Sequence, residues 1–118
     1  MDGDLAAVLG RLKAATSHLP QVLETTSYGT PALKVGRKPL ARVKDAATVV
    51  LFVPFDEKEM LLSLSPDIYF ETDHYKGWPA LLVRMDRIGD EELRHRLERI
   101  WMRQAPARLV KAWQAARA

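Results

Sequence analysis

The chain has 118 residues, and a length of this order predicts one domain, residues 1–118. Its composition, 47% hydrophobic and 28% charged, is typical of a globular protein and not of a disordered chain, and a coiled coil would need sustained heptads. The absence of cysteine excludes disulfides and thiolate metal sites, and the formal net charge of +3 is too small to predict a nucleic-acid binder by itself.

The first part of the chain is predicted to form one helix and a β-hairpin. Apolar residues recur at intervals of three and four over residues 2–18, which predicts an amphipathic helix. We interpret residues 21–30 as a linker. Short extended runs follow at 32–35 and 40–43, and the Gly-Arg-Lys-Pro sequence between them predicts a hairpin turn. Because proline cannot donate a backbone hydrogen bond, Pro39 favours an edge or turn position.

The middle of the chain is predicted to contain the centre of the sheet. Residues 48–53 are almost wholly apolar and β-branched, which indicates a central strand covered on both faces or nearly so. A short helix is predicted over residues 57–64. The segment 69–78 holds four of the nine aromatic residues, and the apolar run 80–85 predicts another strand. Short turns between successive strands indicate an antiparallel meander.

Two helices are predicted to complete the fold. The apolar spacing over residues 91–104 predicts a helix that Asp90 caps. Pro106 is typical of a first helical turn and predicts a last helix. The fold class is therefore α+β: an N-terminal helix, an antiparallel β-meander with a later strand, and C-terminal helices packed on one face.

Basic residues concentrate in two regions. Residues 93–118 hold seven basic side chains and one acidic side chain, so the C-terminal quarter is strongly positive. A second basic run has no acid within it: Lys34, Arg37, Lys38, Arg42 and Lys44. Such asymmetry attracts polyanions, although a solvated surface with helix-dipole complementarity produces the same pattern.

No residue set predicts catalysis, a metal site or a cofactor. The three histidines, His18, His74 and His95, lie far apart in the sequence and share no metal-ligand spacing. Neither a nucleophile elbow nor a glycine-rich phosphate loop is present. Asp73 precedes His74 directly, and neighbouring side chains of an extended segment point in opposite directions. We therefore expect a binding protein and not an enzyme. The apolar runs are far shorter than the roughly twenty residues of a membrane span, so we expect a cytoplasmic protein without a membrane partner.

Two features are typical of nucleic-acid binding. The hairpin 34–44 places basic side chains where a wing lies along a phosphate backbone, although charge and proline also protect an exposed sheet edge from aggregation. Tyr28, Tyr75 and Trp78 have basic residues near them in sequence and are candidates for a stacking platform. The alternative is that these three rings close one end of the sheet.

Three motifs in order resemble the MmcQ/YjbR family. They are Tyr-Gly-Thr-Pro-Ala-Leu-Lys-Val at 28–35, His-Tyr-Lys-Gly-Trp-Pro at 74–79 and Ala-Pro-Ala-Arg-Leu-Val at 105–110. Leu33 departs from the aromatic residue that the family often has there, which weakens a stacking role at that position. The motif residues singled out here are Tyr28, Gly29, Pro31, His74, Tyr75, Gly77 and Trp78.

The resemblance implies a bacterial protein with a frataxin-like (CyaY-like) double-wing fold and a DNA-binding function. It does not extend to iron delivery, since Arg11, Lys13 and basic first strands replace the acidic ridge of iron-binding frataxins. We expect weakly sequence-specific, salt-sensitive DNA binding. The alternative is a small-molecule or protein binding module, with a pocket between the loops 28–31 and 74–78. The candidate DNA-binding residues are Lys34, Arg37, Lys38, Arg42, Lys44, Lys76 and Arg84.

Overall fold

A computed structural model describes the backbone of residues 2–117 and the side chains of residues 5–117. It has four helices and six strands in the order α1 (Asp2–Ala15), β1 (Val22–Ser27), β2 (Thr30–Val35), β3 (Lys38–Val43), β4 (Thr48–Leu51), α2 (Phe55–Leu64), β5 (Tyr69–Phe70), β6 (Leu81–Arg84), α3 (Asp90–Gln104) and α4 (Ala107–Arg117). A single 3₁₀ turn, Asp73–Tyr75, lies between β5 and β6. The predicted α+β fold is confirmed.

The strands form one antiparallel sheet in the order β1-β2-β3-β4-β6-β5. The first four strands follow one another as a meander, and β6 then pairs with β4, which leaves β5 at the far edge. Val49, Val50 and Leu51 of β4 are completely buried, as the run of apolar β-branched residues predicts. Side chains of a strand alternate between faces, so burial on both sides of β4 means that something covers each face there.

Helices cover one face of this sheet. Val8 and Leu12 of α1, with Leu93 and Leu97 of α3, join the main hydrophobic core against the sheet. Trp101 of α3 is fully buried, and its indole Nε1 donates to the carbonyl oxygen of Pro20 at 3.0 Å. The apolar spacing predicted for the first and third helices is therefore confirmed. Among residues 2–117, no helix is long and apolar enough to cross a membrane.

A β-bulge in β3 sets which side chains face away from the helices. Leu33 pairs with Ala41, whereas the next pair is Lys34 with Pro39, so Leu40 is an extra residue in its strand. Leu40 and Ala41 are both fully buried in the helix-side core although they are neighbours. The bulge thereby reverses the alternation of β3 and turns Arg42 to the other face.

The linker predicted over residues 21–30 is wrong, because most of it forms β1. All six residues of β1 pair with β2, from Val22 opposite Val35 to Ser27 opposite Thr30. As an edge strand with its residues only half-buried or exposed, β1 has the polar composition of a loop. Its valine and two threonines were the available signal for a strand.

Several predicted boundaries also shift. The first helix ends at Ala15, and turns occupy the residues before Pro20. Pro39 lies within β3, an interior strand, at an end that β4 does not pair with, since β4 pairs only with residues 41–43. Asp90, the residue expected to cap the third helix, lies inside the first turn of α3, where Gly89 is the cap position. Asp90 instead accepts hydrogen bonds from the Arg11 guanidinium.

The hydroxyl of the buried Tyr69, between the sheet and α3, donates a hydrogen bond to the Glu92 carboxylate. Burial, and then this hydrogen bond and the charge of Glu92, raise the pKa of Tyr69 well above its usual range. The folded chain thus keeps the phenol proton at a pH where the unfolded chain has released it.

We predict that Tyr69→Phe flattens the alkaline pH dependence of stability. The stabilisation from the raised pKa is complete below the ordinary tyrosine pKa of about 10 and is lost as pH rises above it. Urea unfolding between about pH 9 and pH 11 should show a steeper loss for the native chain than for the variant. Val83→Ala removes packing opposite Tyr69 without removing a titratable group and should keep the native slope. Parallel slopes for Tyr69→Phe and the native chain would contradict the prediction.

Candidate nucleic-acid interface

The sheet face opposite the helices is basic and lacks strand carboxylates. The six strands contain a single carboxylate, Glu24, which lies opposite Leu33 on the helix side and pairs with Lys13 of α1 at 3.3 Å. On the other face, hereafter the open face, one row of paired residues runs across five strands: Thr25, Ala32, Arg42, Val50 and Leu82. Lys34 and Arg84 lie on the same face, so its charged strand residues are cations.

Arg42 stands at the centre of the open face. Its Nη2 donates to the Tyr75 hydroxyl at 2.7 Å, and its Nη1 donates to Thr30 Oγ1 at 3.3 Å. The guanidinium also lies 5.4 Å from the centroid of the Tyr28 ring. The loops 28–31 and 74–78, which belong to different motifs, are therefore joined through one side chain. Because a guanidinium has five N–H donors, Arg42 keeps donors beyond these two bonds.

The segment 71–79 crosses part of the open face and is held by Lys58. Tyr75 packs on the small cluster formed by Val50 and Leu82. Lys58 of α2 is only 4% exposed, and its ammonium reaches the carbonyl oxygens of Tyr75 and Trp78 at 2.8 Å each. A third contact, 2.9 Å long, joins it to the Glu71 carboxylate. All three N–H donors of this buried lysine are thus satisfied by the loop that carries the second motif.

The turn between β1 and β2 presents Tyr28 to solvent. Tyr28 and Gly29 have φ values of +53° and +79°, and the flanking Ser27 and Thr30 are paired, as in a two-residue type I′ hairpin. Tyr28 is 92% exposed. Gly29 supplies the positive φ without steric strain, which is the physical role of the glycine in this motif.

The three candidate aromatic residues were expected either to form a stacking platform or to close one end of the sheet, and they differ in exposure. Tyr75 is half-buried and covers the sheet, as the closing role predicted. Tyr28 and Trp78 are exposed, Trp78 by 63%, and do not close the core. His74 contacts the edge of the Tyr75 ring at 4.9 Å between centroids. Gly77 has a φ of +79° in the turn before Trp78, and Pro31 lies in β2.

The seven basic candidates do not converge on one spot. Arg37 and Lys38 lie at the β2–β3 turn and Lys44 follows the other end of β3, about 17–20 Å away for a strand of this length. Arg84 stacks on Phe70 at 4.1 Å. Lys76 pairs with Asp73 at 3.2 Å.

Part of the C-terminal positive charge is neutralised within the fold. Arg96 and Arg99 both pair with the buried Glu57 at 3.3 Å, and Arg117 lies 3.6 Å from Glu98. The C-terminal quarter is therefore less basic in the folded chain than its sequence indicates.

Sequence reasoning missed Lys58 and Glu71. Lys58 sits in a helix start rich in charges, where a solvated lysine is the ordinary expectation, and its contact with Glu71 spans thirteen positions. Its sequence neighbours, Glu57 and Glu59, give no signal that the lysine is buried. Three cavities, of about 380, 330 and 240 Å³, border helices and are not lined by residues of the two motif loops. Within the described residues, no three His, Asp or Glu side chains are grouped to hold a metal ion.

Comparison with known proteins places these loops in a family. The YjbR family profile matches residues 17–103. The chain belongs to the YjbR family. The matched stretch includes both motif loops and most of α3, and it ends before the motif at 105–110. Two similar proteins are the uncharacterised Mb2600 of Mycobacterium bovis and Rv2570 of Mycobacterium tuberculosis. Each is 30% identical over 121 residues, covering 95% of this chain and 94% of the relative. No solved structure matches the chain.

We predict that Lys58→Met loosens the segment 71–79. The substitution removes three charge-assisted contacts and leaves two carbonyls and a half-buried carboxylate without their donor, so we expect a loss of about 2–3 kcal/mol. Urea unfolding measures the loss, and amide hydrogen exchange at residues 75–78 should accelerate with it. Lys76→Met is the matched control, because Lys76 is exposed and its ion pair should contribute at most about 0.5 kcal/mol. Equal stability and unchanged exchange in Lys58→Met would show that other contacts hold this segment.

Proposed function

We propose that this protein binds DNA with little sequence specificity, through phosphate contacts from the β2–β3 hairpin and the open face around it. The observation that carries the proposal is the charge of that face: its charged strand residues, Lys34, Arg42 and Arg84, are all basic, and the only strand carboxylate faces the helices. A surface of this sign attracts a polyanion and raises its rate of encounter. The proposal includes a cytoplasmic location and assigns no catalytic step.

The shape of the hairpin supports backbone contact more than base reading. Arg37 and Lys38 are exposed at its tip, and Lys34 and Lys44 lie on its body. None of these four makes a side-chain hydrogen bond or ion pair within the described part of the chain. Cations distributed over a hairpin can contact phosphates without selecting a base, which is the expected role of a wing. The double-wing description of the family belongs to the same proposal.

We predict a salt-sensitive affinity that depends on the position of the cations. Three double variants each remove two positive charges: Lys34→Gln/Lys44→Gln on the hairpin body, Arg37→Gln/Lys38→Gln at the tip, and Arg108→Gln/Lys111→Gln on α4. Fluorescence anisotropy with labelled DNA of mixed sequence, titrated from low to physiological salt, gives the affinity and its salt slope. Each hairpin double should weaken binding for all sequences and make the slope shallower by about two.

The α4 double is the control for net charge. It changes the total charge by the same amount at exposed positions outside the sheet, so its salt slope should stay close to that of the native chain. Equal losses in all three doubles would reduce the interaction to overall charge and contradict a hairpin interface. No binding of the native chain at low salt would overturn the proposed function.

A small-molecule or protein binding role for the two motif loops is the second candidate. It is favoured by one observation, that Arg42 joins the loops 28–31 and 74–78 beside the exposed ring of Tyr28. A guanidinium between aromatic rings fits a planar acid, which it binds by paired hydrogen bonds. Thermal shift measurements with small aromatic acids, repeated on Tyr28→Asn, would support this role if a compound raised the melting temperature of the native chain only.

A further inference from the structure

We infer that the DNA bound by the open face is single-stranded, with unpaired bases stacked on Tyr28 and Trp78. This inference rests on the proposed function and specifies its substrate. It starts from the exposure of the two rings, 92% for Tyr28 and 63% for Trp78, on the two loops that Arg42 joins. Among the side chains that the structure describes, neither ring belongs to a hydrophobic cluster.

The backbone at Tyr28 points to a role outside the fold. Both central positions of the β1–β2 turn have positive φ, where asparagine and glycine are favoured and a side chain such as tyrosine is strained. The strained residue gains little burial in return, since it is 92% exposed, and the guanidinium of Arg42 lies 5.4 Å from the centroid of its ring. A strained and exposed residue that stabilises nothing around it is typical of a ligand contact.

The loop that carries Trp78 is fixed before any ligand arrives. Lys58 binds the carbonyl oxygens of Tyr75 and Trp78, and the amide of Trp78 donates to the carbonyl of Tyr75 at 3.1 Å. Because the backbone is held on both sides of Gly77, the Trp78 ring projects from a defined position. A ring that is already placed loses less entropy when a base stacks on it.

Exposed aromatic side chains on the protein favour single-stranded DNA over a duplex as the ligand. In a duplex the faces of the bases are covered by their neighbours, and the protein meets phosphates and base edges. In a single strand the faces are accessible, and they stack on aromatic side chains while cations neutralise the backbone. Lys34 and Arg42 supply cations on the same face, with no strand carboxylate to repel phosphate. Charge and stacking surfaces together therefore fit a single strand.

The test compares a short oligothymidylate with a duplex of equal length, both labelled, by anisotropy at low salt. Three variants are measured with the native chain: Tyr28→Asn, Trp78→Leu and Phe55→Leu. Asparagine suits the turn, so Tyr28→Asn should fold with equal or greater stability. Phe55 is an exposed ring at the start of α2 and is the matched control.

We predict that the native chain prefers the single strand, and that Tyr28→Asn and Trp78→Leu each weaken its binding about 5- to 150-fold, the range that loss of one stacked base gives. Duplex affinity and the Phe55→Leu protein should change less than about twofold, because phosphate contacts are intact. Trp78 is also the exposed one of three tryptophans, since Trp101 is buried and Trp113 half-buried. Oligothymidylate should therefore quench emission in the native chain and much less in Trp78→Leu.

The possible outcomes distinguish a failure of the single-strand inference from a failure of the proposed DNA binding. Tight duplex binding with no loss in Tyr28→Asn and Trp78→Leu would overturn the stacking inference and leave salt-sensitive DNA binding in place. Failure of the native chain to bind either DNA at low salt would overturn both.

Discussion

The β-bulge at Leu40 is the feature on which the open face depends. If the pairing of Val35 with Lys38 continued without an extra residue, Arg42 would lie opposite Pro31 and point at the helices. A guanidinium there would be buried in the hydrophobic core without a counter-charge, at a large desolvation penalty. The bulge removes this conflict and delivers Arg42 to the face where Thr30, Tyr75 and Tyr28 meet it. Because of this one extra residue, β3 contributes apolar side chains to the helix-side core and a basic side chain to the open face.

A buried polar cluster holds the loop that lies over the open face. Lys58 replaces the water that the carbonyls of the segment 71–79 would otherwise bind, and Glu71 compensates its charge. Such a cluster is stabilising only while every member is satisfied. It holds an irregular segment, whose regular structure is one 3₁₀ turn, in place above the sheet. Arg42 and Lys58 therefore hold the same loop from its two sides, through the Tyr75 hydroxyl and the Tyr75 carbonyl.

The features that the sequence predicts well are those in which burial repeats with a fixed period. The stripe of α3 and the apolar run of β4 are read directly from spacing, because a fully buried face leaves no freedom in residue type. β1 was missed because an edge strand is paired by its backbone while its side chains stay polar. The candidate loops were located by motif, but their meeting was not predictable. It depends on a bulge and on contacts of Arg42 and Lys58 with residues 33 and 17 positions away, and no local pattern encodes such contacts.

The turn between β1 and β2 places Tyr28 in a strained backbone conformation and leaves its side chain exposed. A two-residue turn with positive φ at both positions favours Asn-Gly, and this chain has Tyr-Gly. A tyrosine at such a position is disfavoured by about 1 kcal/mol or more. A weak contact with Arg42 across 5.4 Å, at an exposed site, offsets only part of that penalty. Within the described residues, burial of the side chain does not compensate for the remaining strain. An aromatic ring held outward at this turn is therefore best understood as a surface prepared for a planar partner, and Arg42 beside it favours a partner that carries negative charge.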